Sequence, residues 1–195
     1  VFVSRGFLPL LWLLVAAGLL ASSTAISWPS IAGYSGGGKM MIVTYQAGGD
    51  PKLDAPMPYG LRLAHKHVPE MATHSGLSTP PVFIPIVGPF YKGLAVSIPL
   101  HLSQLAGGTS ARSLHEALTA RYADERFIRV MPLRDPGTLE STYFDVQACN
   151  DTNRVDIFVF ANETQAILIA RLDNLGKGAS GAAVQTMNVH LGIEE

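Results

Sequence analysis

The sequence predicts an α+β fold: a mixed, largely antiparallel sheet with helices packed on one face. Three observations carry that expectation. Two extended runs, Val82-Phe-Ile-Pro-Ile and Gly93-Leu-Ala-Val-Ser-Ile-Pro-Leu, are rich in β-branched residues and alternate as strands with one buried face do. Two stronger strands, Arg154 to Phe160 and Ala166 to Leu172, join across Asn162-Glu163. Between these pairs, Leu114, Leu118 and Tyr122 fall at i, i+4 and i+8, the core stripe of a helix.

Length and composition suit such a domain. The chain has 195 residues, enough for one good core, and its 48% hydrophobic and 15% charged content is that of a folded chain. A net charge of −1, with Lys and Arg scattered, gives no reason to expect nucleic acid or a membrane surface as partner. The single cysteine, Cys149, excludes an intrachain disulfide and a cysteine-rich metal site, and suits a reducing compartment.

Residues 1–24 admit two readings. Arg5 precedes an apolar stretch that ends in Ala-Ser-Ser-Thr-Ala25, the pattern of a secretory signal peptide. The same stretch can be a buried helix; it is short for a membrane span, which needs about 20 apolar residues. The chain begins with Val1 rather than methionine, which points to a true start elsewhere and weakens the signal reading.

The segment Ala25 to Ala47 opens as a strand and turns at Gly33-Tyr-Ser-Gly-Gly-Gly, with Lys39 beside the turn. Successive glycines let backbone approach a ligand and turned N–H groups cradle an anion, although such a cluster also serves as a plain turn. Its spacing is not that of a Walker loop. Residues 48–57 read as a surface loop. Pro85 and Pro99 argue for edge positions or strand ends. Thr109 or Ser110 caps the helix that reaches Tyr122, with Arg112, Glu116 and Arg121 outward and His115 solvated. Phe127 to Val130 is a further short strand, and the segment from Thr142 leads into a polar loop holding Cys149, a free structural thiol. A closing helix has Val184, Met187 and Leu191 on its apolar side.

The run Pro58-Tyr-Gly-Leu-Arg-Leu-Ala-His-Lys-His-Val-Pro-Glu70 carries the most chemistry. Pro69 and Glu70 suit the first turn of a helix that starts near Val68, so His67 sits just outside its N-terminus. The unpaired N–H groups there disfavour imidazolium, leaving a neutral ring able to pass a proton near neutral pH. A capping or packing role is the plain alternative. His74 faces solvent near the helix end.

Taken with Gly33-Tyr-Ser-Gly-Gly-Gly-Lys39 and Leu172-Asp-Asn-Leu-Gly-Lys-Gly-Ala-Ser-Gly-Ala-Ala-Val-Gln185, the histidine run resembles N-acetyl-gamma-glutamyl-phosphate reductase, the NADPH enzyme of arginine biosynthesis, in its shorter type. The resemblance spans roughly Gly6 to Ile193 and matches the order of the motifs. It implies the C-terminal part of a semialdehyde-dehydrogenase-like enzyme without its nucleotide-binding domain. Residues 1–24 would be the active-site helix, 25–172 the catalytic and dimerisation domain, and 173–195 a helix returning to the nucleotide-binding domain. His67 matches the acid/base histidine; Ser35, Gly36 and Asn174 match positions near the NADPH nicotinamide. The resemblance further implies a small acyl phosphate substrate, a homo-oligomer and a cytoplasmic setting. One departure is marked: the family's nucleophilic cysteine stands just before the first helix, where this chain reads Val1-Phe-Val-Ser-Arg-Gly6. Ser4 is no substitute, because a hydroxyl is far less acidic than a thiol. An exported, non-catalytic binding protein is the alternative function.

Overall fold

Helix α1 (Phe2–Ala16) is where the core begins: Phe7, Leu10, Leu11 and Leu14 are all fully buried. It lies across the centre of the sheet, and Gly6 explains how closely. A Cβ on Gly6 would fall 2.7 Å from Cγ2 of Val96, so only glycine permits this approach. The computed structural model describes residues 2–133 and 143–194; Val1 and Thr142, which figured above, lie outside the described residues. Cleavage near Ala25 would strip α1 from the core it fills.

Among the described residues seven strands form one mixed sheet. They are β1 (Ser27–Gly33), β2 (Met57–Pro58), β3 (Val82–Gly88), β4 (Leu94–His101), β5 (Ile128–Val130), β6 (Val155–Ala161) and β7 (Gln165–Leu172), in the order β2-β3-β1-β4-β7-β6-β5. Two pairings, β1 with β3 and β5 with β6, are parallel and the rest antiparallel. Helices α1, α3 (Val68–Ser75) and α4 (Ala111–Tyr122) cover one face. The Tyr122 hydroxyl donates to the Pro9 carbonyl at 2.8 Å, tying α4 to α1. α2 (Lys39–Ala47) buries no residue, and α5 (Gly181–Leu191) follows a π-helical turn, Gly176–Ser180.

Several expectations are refined. β4 is central rather than marginal, yet its last partner in β1 pairs at Val96, so Pro99 meets only β7 and no sheet bond is lost there. Pro85 lies just beyond the two-residue pairing of β2 and accepts from Tyr59 N at 2.9 Å. Ser110 is the cap of α4, accepting from Ser113 N, and Leu114, Leu118 and Tyr122 are buried. His115 is not solvated: it is half-buried, and its Nε2 bonds the Met131 carbonyl at 2.9 Å. α2 went unread because Ile42-Val-Thr44 is a β-branched run with no buried face to give it helical period.

The opposite face of the sheet carries the strongest charge cluster. Asp156 of β6, fully buried, accepts from Arg129 at 2.9 Å, Arg154 at 3.1 Å and Arg171 at 3.1 Å, and the Cys149 thiol donates to it at 3.1 Å. Burial alone would raise the Asp156 carboxyl, but the hydrogen bonds from Arg129, Cys149 and Arg171 outweigh it and hold it at about 2. Burial and the neighbouring carboxylate push the Cys149 thiol up, as befits a structural cysteine. Because the Asp156 pKa is depressed in the folded state, its contribution is present at neutral pH and is lost as pH falls from about 4 toward about 2. Asp156→Ala, which strands the guanidinium groups, is expected to cost about 3 kcal/mol. Urea denaturation at neutral pH measures this loss, and an unchanged midpoint would discard the cluster as a stabilising element.

Candidate active site

The loop from Tyr59 to His67 delivers two histidines to one cavity beside the ends of β1 and β3. Leu63 sits in the left-handed region at φ 57, an uncommon conformation for a leucine and a mark of a tightly specified loop. α3 then starts with His67 as its N-cap residue and Pro69 in its first turn, and it ends at Gly76, whose left-handed φ of 78 suits glycine. Helix and strand thus hold the loop at both ends.

The cavity has a volume near 240 Å³ and is lined by Ser30, Gly33, Gly36, Tyr59, His65 and His67, with Lys66 at its side. Aromatic contacts carry it on the core. Phe7 stacks on Trp28 at 4.6 Å, Trp28 on Phe83 at 4.2 Å, and Phe83 meets His65 edge-on at 4.9 Å. His65 in turn lies 5.2 Å from His67, and its Nδ1 accepts from the His67 backbone N–H at 3.3 Å.

Both histidines titrate below the ordinary value. For His65 burial is the first cause, followed by the positive neighbours His67 and Lys66. For His67 burial again lowers the value, while Glu70 pulls it part of the way back. The sequence argued the neutral ring from the helix end; burial is the larger cause. His67 Nδ1 lies 3.2 Å from Glu70 Oε2, and Ser4 Oγ donates to the same oxygen at 2.9 Å. A neutral imidazole with a fixed carboxylate partner can take up and release a proton near neutral pH.

Gly36 shares the cavity with His67. Ser35 and Asn174 meet each other instead: Asn174 Nδ2 donates to Ser35 Oγ at 2.9 Å, and its Oδ1 accepts from Gly93 N at 2.7 Å. Both are buried, so their side chains shape the glycine turn from behind. Gly33 is needed in that turn, since a Cβ there would meet the Tyr91 carbonyl oxygen at 2.5 Å. Sequence reasoning missed Tyr59 and Ser4 as site residues and gave Glu70 only a helix-end role; its i, i+3 spacing from His67 was the readable signal. Cys149 belongs to the Asp156 cluster. Among the described residues no group of three or more His, Cys, Asp or Glu could hold a metal, and no helix is long and apolar enough to cross a membrane.

The fold is that of semialdehyde dehydrogenases. Aspartate semialdehyde dehydrogenase II of Vibrio cholerae superposes with a TM-score of 0.69 at 16% identity, over 96% of this chain and 60% of that one. The family model "Semialdehyde dehydrogenase, dimerisation domain" matches residues 5–174, and the chain belongs to that family. Among curated proteins it is similar to N-acetyl-gamma-glutamyl-phosphate reductase 2 of Nostoc sp., at 46% identity over 97% of this chain and 62% of the relative. The reductase of Burkholderia cenocepacia is 44% identical over 96% of this chain and 60% of the relative. The chain therefore spans about three fifths of the length of these enzymes.

The lowered histidines fix the sign of a pH effect. Below about 6.5 the unfolded chain binds protons that folded His65 and His67 resist, so stability should fall as pH drops through that value. Urea midpoints at about pH 7.5 and about pH 5.5 should differ in that direction, and the difference should shrink in the His65→Gln, His67→Gln double variant. A difference that persists in the double variant would assign the effect to other groups.

Proposed function

We propose that this chain is the catalytic and dimerisation part of an N-acetyl-gamma-glutamyl-phosphate reductase, with His67 as its acid/base group. The observation that carries the reading is the cavity in which His67, paired with Glu70, faces the glycine turn of Gly33 and Gly36. Its support in sequence is the set of relatives named as this reductase, at 46% and 44% identity. The overall reaction converts N-acetyl-glutamyl phosphate, NADPH and a proton to the semialdehyde, NADP⁺ and phosphate. Hydride is the chemistry the cofactor supplies when bound.

The residues present fit its nicotinamide end through backbone: Gly36 offers no side chain to obstruct a planar ring, and Asn174 and Ser35 hold the turn rigid. A thiolate attacks the acyl phosphate in the resembled enzymes. Cys149, buried against Asp156, is unsuited to that role, so the reading takes thiol and nucleotide fold from outside this chain. His67 protonates the oxygen of the tetrahedral intermediate or removes the proton that its collapse releases. Tyr59 and His65 wall the cavity and exclude water around the reacting carbon. A cytoplasmic setting is part of the same reading.

Two apolar surfaces receive partners in this reading. Val184, Met187 and Leu191 of α5 are half-exposed and would pack on the nucleotide-binding part. The sheet face over β3 and β7, where Ile84 and Ile167 are exposed, would meet a second copy, in keeping with the dimerisation domain the family is named for.

A hybrid tests the catalytic role: this chain joined to the nucleotide-binding part of the Nostoc reductase. Phosphate-dependent reduction of NADP⁺ by the semialdehyde is expected from the hybrid, and His67→Asn should lower kcat by roughly 10²-fold or more. A folded, dimeric hybrid with no activity would sink the assignment. Separately, Ile167→Asp should turn the dimer into monomer in sedimentation, because an uncompensated charge would be buried at the sheet face; a dimer that survives it would move the interface elsewhere.

A further inference from the structure

The contacts of Glu70 determine more than its own place. Glu70 Oε2 receives Ser4 Oγ at 2.9 Å and His67 Nδ1 at 3.2 Å. A carboxylate oxygen only accepts, so both partners must donate, and the imidazole must carry its proton on Nδ1. Nε2 is then the nitrogen with the lone pair, the basic atom of the ring. Ser4 is nearly inaccessible to solvent, so its hydroxyl relies on this bond. His67 and Glu70 lie on the same side of the first turn of α3, while Ser4 comes from α1. The backbone N–H of His67 is also occupied, donating to His65 Nδ1.

We propose that Ser4 and Glu70 are positioning residues that clamp His67 in the Nδ1–H tautomer and so make Nε2 the atom that exchanges a proton with substrate. The clamp spans two elements. Ser4 fixes the carboxylate from the start of α1, and Glu70 fixes the ring from within α3. Without Ser4 the carboxylate, one-third exposed, can turn toward water. Without Glu70 the ring loses the acceptor at Nδ1, and Nδ1–H is less favoured. Among the described residues, the charged and titratable groups around His67 include Glu70, Lys66 and His65, and of these Glu70 favours the protonated ring. Its removal should therefore lower the pH at which His67 protonates.

The functional half of this inference rests on the acid/base reading of His67; the tautomer half does not. Side-chain ¹⁵N NMR of the chain, with His67 assigned from the His67→Gln spectrum, should show Nδ1 protonated. Glu70→Leu, which removes the acceptor, should weaken that preference and lower the His67 midpoint; Ser4→Ala should weaken the preference to a smaller degree. A wild-type ring protonated on Nε2, or a preference unchanged in Glu70→Leu, would overturn the clamp. In the hybrid reductase, Glu70→Leu should lower kcat about 10-fold at constant KM, with Glu70→Asp recovering part of it. An unaltered kcat beside an altered tautomer would overturn the positioning role. A hybrid inactive even before substitution would remove the acid/base reading and the functional half with it, while the NMR outcome would still decide the clamp.

Discussion

The burial of α1 across the sheet is the constraint on which the remaining structure depends. Its four fully buried side chains each contribute roughly 1.5–3 kcal/mol by leaving water, a gross sum comparable with the net stability of an ordinary domain. The contact is specific as well as large. Gly6 against Val96 sets the depth, Phe7 against Trp28 sets the rotation, and the Tyr122 hydroxyl on Pro9 fixes the neighbouring helix. Because the helix cannot slide, Ser4 near its start arrives at Glu70. A packing requirement therefore positions a polar contact at the candidate site.

The opposite side of the glycine turn is held by hydrogen bonds rather than by packing. Asn174 joins Ser35 to Gly93, bridging residues far apart in the chain, and every bond of this bridge is buried. Buried amides left unpaired would cost about 1–3 kcal/mol each, so the bridge opposes movement of the turn toward or away from the cavity. One wall of the cavity is thus rigid through satisfied polar groups and the other through stacked aromatic rings. The two mechanisms fail under different perturbations, which suits a site that must keep its shape.

Legibility followed physical cause closely. Strand β7 was readable because it buries one face and alternates, and β4 and β6, buried on both faces where they begin, from their β-branched apolar runs. α4 was readable from its stripe and its serine cap, and the start of α3 from Val68-Pro-Glu. α2 was not, since a helix with no buried residue leaves no periodic trace. His115 was misjudged because its partner, the Met131 carbonyl, lies 16 residues away and no local pattern announces it. At the site, His67 and Gly36 line one cavity, whereas Ser4 could be recognised only once α1 was docked. Contacts within a turn are written in spacing; contacts between elements are written in shape.

The distribution of apolar surface completes the argument. Among the described residues, apolar side chains stand in solvent on the sheet face over β3 and β7, at Val82, Ile84 and Ile167, and together on α5, at Val184, Met187 and Leu191. The histidine cavity lies on the helix-covered side of the sheet, beside Trp28 and Phe83, which face the core, while Ile167 alternates to the other side. A partner covering the open face would therefore leave the cavity accessible, and tightening there would reach it only through β1 and β3. The same geometry separates the ionic cluster of Asp156 from the proton chemistry of His67, with the sheet between them. The Asp156 carboxylate and its arginines can thus stabilise one side without setting the charge of the histidine on the other.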